Sequence, residues 1–302
     1  MDMELEVNNT VEKEVILSPW RVSLRRFKKD KLSMAAFYIL SFIVIAAIIG
    51  PIIYPYKMDT LDLPNMNTPP SLMHLLGTDS LGRDLLSRLF YAGRVSLAIA
   101  FLASLVQILI GTVLGVLAGY YGGIVDAVIM KISDVLISMP FLPIFILISD
   151  LMSTQDIYSY KRIYIVMIII GMLTWPGVCR LIRSQVLAMK GREFMEAAEA
   201  LGIKDSRKLF KYILPNTIGP VIVASTMGIA NGVLIETSLS YIRLGVIPPV
   251  PSWGNMAQSA TDIFTLQYLW WYWLPACVCI FLTITCVNII GDGLRDAFDV
   301  KL

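Results

Sequence analysis

The sequence predicts an all-α integral membrane protein, on three observations. Of its 302 residues, 56% are hydrophobic and only 16% are charged, against about a quarter charged in soluble domains. Apolar runs long enough to cross a hydrocarbon core of about 30 Å recur along the chain. Lys and Arg concentrate in the N-terminal tail and in a stretch past the middle, the pattern of segments kept on the cytoplasmic side. The net charge of +2 says little beside that placement.

Taken in order, residues 1–33 are polar and then basic (Arg25, Arg26, Lys28, Lys29, Lys31) and read as a cytoplasmic tail. The run from Met34 to Tyr54 is too long for the apolar part of a cleaved signal, so residues 34–55 form a first span. Residues 56–94 form an extracytoplasmic loop with Pro64, Pro69 and Pro70. The loop carries Gly77-Thr78-Asp79-Ser80-Leu81-Gly82-Arg83-Asp84, which puts an Asp in place to cap a helix beginning near Leu85. His74, the sole histidine, reads as a loop residue rather than a ligand.

Residues 95–291 hold the remaining five spans. The second, about Val95 to Ala118, carries Gly111, Gly115 and Gly119 at the spacing that lets helices approach closely, read as internal packing. The third, Ile124 to Leu151, is interrupted by Pro140 and Pro143, and pairs Lys131 with Asp134 one turn on; Asp126 is likewise structural. A short outer loop, Ser153 to Arg162, leads to the fourth span, Ile163 to Leu187, kinked at Trp175-Pro176-Gly177. Arg180 and Arg183 mark its cytoplasmic end. The tail and the second basic stretch then lie on one side, which requires an even number of spans between them, here four.

The fifth span, Ile218 to Ser240, holds Glu236, either a substrate contact or a satisfied structural acid; with Ser240 it marks a candidate translocation path. An outer loop at 241–268 contains Pro248-Pro249 and Ser252-Trp253-Gly254-Asn255. The sixth span, Leu269 to Ile290, opens on an interfacial aromatic belt of Trp270, Trp271, Tyr272 and Trp273, and residues 292–302 are a cytoplasmic tail.

The chain is organised around its second basic stretch, within residues 190–216. Arg192 to Leu201 is rich in strong helix formers and ends at Gly202, a natural left-handed cap. Asp205 or Ser206 caps a second helix, with a first turn near Arg207, that stops before Pro215. Phe194, Ala197, Ala198 and Leu201 form one narrow apolar face. A hairpin this short cannot bury that face alone, so it docks either in a groove of another protein or on lipid headgroups.

Glu196-Ala197-Ala198, Gly202 and Leu214-Pro215-Asn216 resemble the EAA loop of importer-type ABC transporter permeases. Gly77 to Asp84, Leu244-Gly245-Val246, Pro248-Pro249, the Ser252 to Asn255 stretch and the Gly291 to Asp299 ending are similar to the second permease of the oligopeptide, dipeptide and nickel importers. Tyr212 stands where that family often has histidine, and Leu75 where it often has proline. The resemblance implies a type I ABC importer permease fold with six spans and both termini in the cytoplasm of a bacterial or archaeal cell. It implies that the loop is a coupling helix seated in an ATPase cleft. The partners it implies are a homologous permease, two P-loop ATPases that bind ATP and Mg, an extracytoplasmic substrate-binding protein and membrane lipid, with no nucleic acid. Di- or oligopeptides are the leading substrate; nickel and oligosaccharides are the alternatives.

The residues themselves also exclude. No G-x-x-x-x-G-K-[ST] occurs, so ATP is expected on separate subunits and no cofactor in this chain. The four cysteines lie in or beside apolar runs and suit packing, not a metal or disulfide framework. No nucleophile–base pair points to an intramembrane enzyme. A stand-alone secondary transporter would need intramembrane carboxylates beside broken helices, for which Glu236 is the candidate.

Overall fold

The computed structural model describes residues 19–154 and 159–298. Among these the chain is helical, with one isolated bridge, Thr78 to Asp84, and no strand. The helices in order are α1 (Pro19–Lys29), α2 (Lys31–Ile53), α3 (Leu85–Tyr121), α4 (Gly123–Ser138), α5 (Phe141–Thr154) and α6 (Ser159–Lys190). Then follow α7 (Glu193–Ala200), α8 (Asp205–Lys208), α9 (Leu214–Tyr241), α10 (Trp253–Ala257), α11 (Ile263–Tyr268) and α12 (Leu274–Phe298). Five helical stretches are long and apolar enough to cross a membrane, and α4 with α5 forms a further candidate bent by 81° at Met139-Pro140. Residues 1–18, most of the expected tail, lie outside the described residues.

The bundle has two poles. At one, the Tyr54 to Asp84 loop and the 242–273 segment meet; at the other, α1 and the α7–α8 hairpin stand beside the ends of α3, α6 and α12. The α4–α5 pair leaves Gly123 at the hairpin pole, and Met152 packs with Val246 and Val250 at the loop pole.

The central seam is α3 against α6. A Cβ on Gly115 would stand 2.6 Å from the Cys179 carbonyl oxygen and 2.9 Å from the Ile182 Cβ, so only glycine allows this approach. Gly111 and Gly119 meet Val178 and Val186 along the same line, which makes the glycine row an internal packing face, as expected. Against α2, Arg94 on α3 repairs a broken helix bond. Pro51 has no N–H to give Ala47, and the Arg94 Nε donates to the Ala47 carbonyl at 2.9 Å.

Several element boundaries differ from the expectation. The second span begins at Leu85, ten residues early, because Asp84 accepts from the Ser87 N–H at 2.8 Å and starts the helix there. The last span runs to Phe298, so most of the expected tail is helix. The segment read as the 153–162 outer loop is largely helical, with residues 155–158 outside the described set. Its Arg162 is buried, donating to the Gly245 carbonyl at 3.0 Å and to Ser149. Asp134 pairs with Arg180 at 2.6 Å, not with Lys131, and Asp126 makes a two-point pair with Arg183 at 2.5 Å. Both pairs tie α4 to α6, where the tertiary partner presents a guanidinium fork that a neighbouring lysine cannot match.

The loop read as plain is a built structure. His74 is buried, with Nδ1 2.9 Å from the Asp84 carboxylate and its ring stacked 4.8 Å from Tyr56. Asp79 accepts from the Leu81 and Arg83 N–H groups at 2.9 Å and from the Arg83 Nε at 2.7 Å. Tyr54 donates to Asp84 at 3.2 Å, and burial together with that carboxylate's charge pushes its phenol up to about 12.

Candidate functional site

The hairpin is built on the ends of three helices that outrun a bilayer. α3 and the stretch from Asp205 to Tyr241 have 37 residues each and α6 has 32. At 1.5 Å per residue these reach about 48–55 Å, against about 30 Å of hydrocarbon. Their excess at the hairpin pole forms a cluster of Val116, Tyr120, Ile182, Val186 and Met189, and Met195 of α7 and Ile213 plug into it.

Polar bonds lock the same joint. The Tyr120 hydroxyl donates to the Asp205 carboxylate at 2.6 Å, and Lys190 Nζ donates to the Tyr120 carbonyl at 2.8 Å. Asp205 is therefore no cap; Lys204 precedes α8 without a side-chain bond to it. Turn α7 closes as expected at Gly202, with φ at +65°. The Gly202 N–H bonds the Glu199 carbonyl at 2.9 Å and the Ile203 N–H bonds the Ala198 carbonyl at 3.0 Å, a Schellman motif.

Pro215 does not stop the helix. From α8 the chain continues through a π-helical stretch, Leu209 to Ile213, straight into α9. The wider turn lets the Leu214 N–H reach the Leu209 carbonyl and seats Pro215, which has no N–H to place. The Asn216 side chain donates to the Tyr212 carbonyl at 2.6 Å, so Leu214-Pro215-Asn216 is the signature of this joint.

The apolar face of α7 divides in two. Met195 and Ala198 face inward and are buried. Phe194 (39% exposed), Ala197 and Leu201 (78%) face outward with Glu196, and Phe210 (72%) stands exposed on the neighbouring turn. Met195 went unread in the sequence, although its one-turn spacing to Ala198 marks an anchor pair.

Glu236 and Ser240 come together away from the hairpin, both 0% exposed. The Ser240 hydroxyl donates to Glu236 Oε1 at 2.7 Å and accepts from the Val246 N–H at 2.9 Å. The hydroxyls of Ser96, Ser252 and Thr237 surround the carboxyl. The Ser96 hydroxyl also accepts from the Trp253 N–H at 3.1 Å, so this knot joins α3, α9 and α10. Ser252 and Asn255 make a reciprocal capping box for α10, with bonds of 2.9 and 3.2 Å. The S-x-x-N spacing carried that signal in the sequence and was missed. Among the described residues no three His, Cys, Asp or Glu side chains converge as a metal site.

Residues 111–302 match the family described as the binding-protein-dependent transport system inner membrane component. The chain belongs to this family. Residues 18–70 of the permease match the N-terminal TM domain of oligopeptide transport permease C. It is 38% identical over 278 residues to the dipeptide transport system permease protein DppC of Bacillus subtilis, covering 92% of this chain and 84% of the relative. Against the oligopeptide transport system permease protein OppC of the same species it is 37% identical, covering 95% and 91%. Against the OppC of Haemophilus influenzae it is 34% identical, covering 94% and 89%. The permease is thus a multi-pass membrane component of a transport system, and the resemblance read from its motifs is borne out at the level of the family.

Proposed function

We propose that this permease imports di- or oligopeptides as one half of a translocation unit driven by ATP hydrolysis on separate subunits. One observation carries the reading: the hairpin is rigid on its inner side and unpartnered on its outer side. Met195, Ile213 and the Tyr120 to Asp205 bond fix it to α3, α6 and α9, while Phe194, Leu201 and Phe210 stay exposed. Force applied to that outer face passes into the spans, because the joint has no slack residue between Met195 and the cluster. The peptide substrate is supported by the printed names of the dipeptide and oligopeptide relatives.

In this reading α2, α3, α4 with α5, α6, α9 and α12 are six crossings. The α4–α5 pair counts as one because its ends pack at opposite poles. The basic residues of α1 and of the hairpin put that pole in the cytoplasm. A cytoplasmic ATPase with Mg and ATP then receives Phe194, Glu196, Ala197 and Leu201. A homologous permease completes the passage, and a substrate-binding protein delivers peptide at the loop pole.

Affinity purification of the tagged chain in mild detergent tests this. We expect a second permease and P-loop ATPases to co-elute, with ATP hydrolysis stimulated by a peptide-loaded binding protein. A chain that elutes alone and carries out proton-driven uptake would refute it.

A further inference from the structure

Halfway along the bundle, α3, α6 and α9 enclose a groove of about 400 Å³ that none of the residues discussed so far occupies. Ser104 and Gln107 of α3, Thr174 and Gly177 of α6, and Asn231 of α9 line it among aliphatic side chains. No charged residue is in its wall. Asn231 is exposed, and its amide makes no hydrogen bond among the described residues. Gln107 donates to the Thr174 carbonyl at 3.2 Å, which leaves its second N–H unused.

These groups sit in the middle third of their helices, at the depth where lipid would be the default neighbour. An unbonded amide facing lipid is costly, because hydrocarbon offers it no partner. Along α9 the exposed positions Asn231, Leu234, Ser238 and Tyr241 form one stripe that climbs from the groove to the loop pole. The stripe alternates polar and apolar groups, unlike the lipid-facing surface of α2. The wall is concave, and a Cβ on Gly177 would meet nothing within 4 Å, so the surface has room for a ligand rather than for a tightly packed helix.

A peptide backbone is a neutral chain of alternating N–H and C=O groups. Carboxamide side chains, each with donors and an acceptor and no charge, match it irrespective of the peptide's own side chains. We propose that this groove is the permease's share of the substrate passage at mid-membrane, and that Gln107 and Asn231 hydrogen-bond the backbone amides of the passing peptide. The inference rests on the peptide-import reading above and adds to it the residues that touch cargo. Glu236 and Ser240, both fully buried, then act as the tie behind this wall.

The test uses the complete transporter in liposomes, with both permeases, the ATPases and the binding protein. Uptake of tri-alanine, tri-lysine and tri-glutamate is followed alongside ATP hydrolysis. For Asn231→Leu and Gln107→Leu we expect tri-alanine uptake to fall about tenfold, the size of one lost hydrogen bond, with subunit assembly unchanged. For Asn231→Asp we expect uptake of tri-lysine to rise relative to tri-glutamate. Equal uptake of all three peptides by the variants and the unaltered complex would overturn the inference and leave the import reading standing. Loss of subunit assembly in the variants would overturn it too, marking a partner-permease contact. An unaltered complex that moves none of the three would overturn the peptide reading and this inference together.

Discussion

A Cβ placed on Gly202 would meet nothing within 4 Å, so the glycine is required by backbone conformation alone, at φ +65°. A β-branched residue there costs about 1–2 kcal/mol. Gly202→Val should loosen the Schellman turn, seen as faster exchange of the Ile203 amide, and lower peptide-stimulated ATP hydrolysis while leaving the spans folded. Glu236 is the opposite kind of residue, defined wholly by its neighbours. Glu236→Gln keeps an acceptor for Ser240 and should leave the thermal midpoint in detergent nearly unchanged. Glu236→Leu strands the hydroxyls around it, at about 1–3 kcal/mol for each buried group left unsatisfied, and should lower the midpoint by several degrees. Both caps, Asp84 and Gly202, were legible in the sequence because a cap is made by residues within one turn. The partners of Asp126, Asp134 and Arg162 were not, because each lies on another helix and only the packed bundle selects it.

Among the elements, α7 separates anchoring from docking on its two sides, and the two should fail differently. Met195→Glu places a carboxylate in the cluster formed with Val186 and Ile213. It should expose the hairpin to protease in the isolated permease. Leu201→Glu sits on the outer face and should leave protease resistance intact while abolishing co-purification of the ATPases. The α3–α6 seam makes a second prediction. Gly115→Leu drives a side chain into the Cys179 carbonyl and Ile182, and overpacking of this kind costs about 1–3 kcal/mol. The midpoint should fall, without change of subunit composition in whatever complex survives. The glycine row was readable because its period matches a helix face. The run through Pro215 was not readable, since proline ordinarily ends a helix and nothing local announces the π stretch that accommodates it.

Over the whole molecule, charge placement and pole-to-pole threading agree on one orientation, which can be checked chemically. In variants lacking the four native cysteines, Ala200→Cys should react with an impermeant maleimide only from the cytoplasmic side, and Ser71→Cys only from the outside. Labelling of both from one side would break the six-crossing reading. The number of crossings was legible in the sequence to within the broken α4–α5 pair, because hydrophobic length reports directly on the bilayer. How the crossings pack was not, since contacts such as Arg94 to Ala47 join residues far apart in the chain. The π stretch at Leu209 to Ile213 acts at this scale too. It is a phase offset between two rotors: each residue of helix advances the azimuth by about 100°. A single deletion there would restore ordinary winding and turn α9 by more than a quarter revolution against the anchored hairpin. A shaft cut in this way could still press on its socket yet deliver its stroke in the wrong direction.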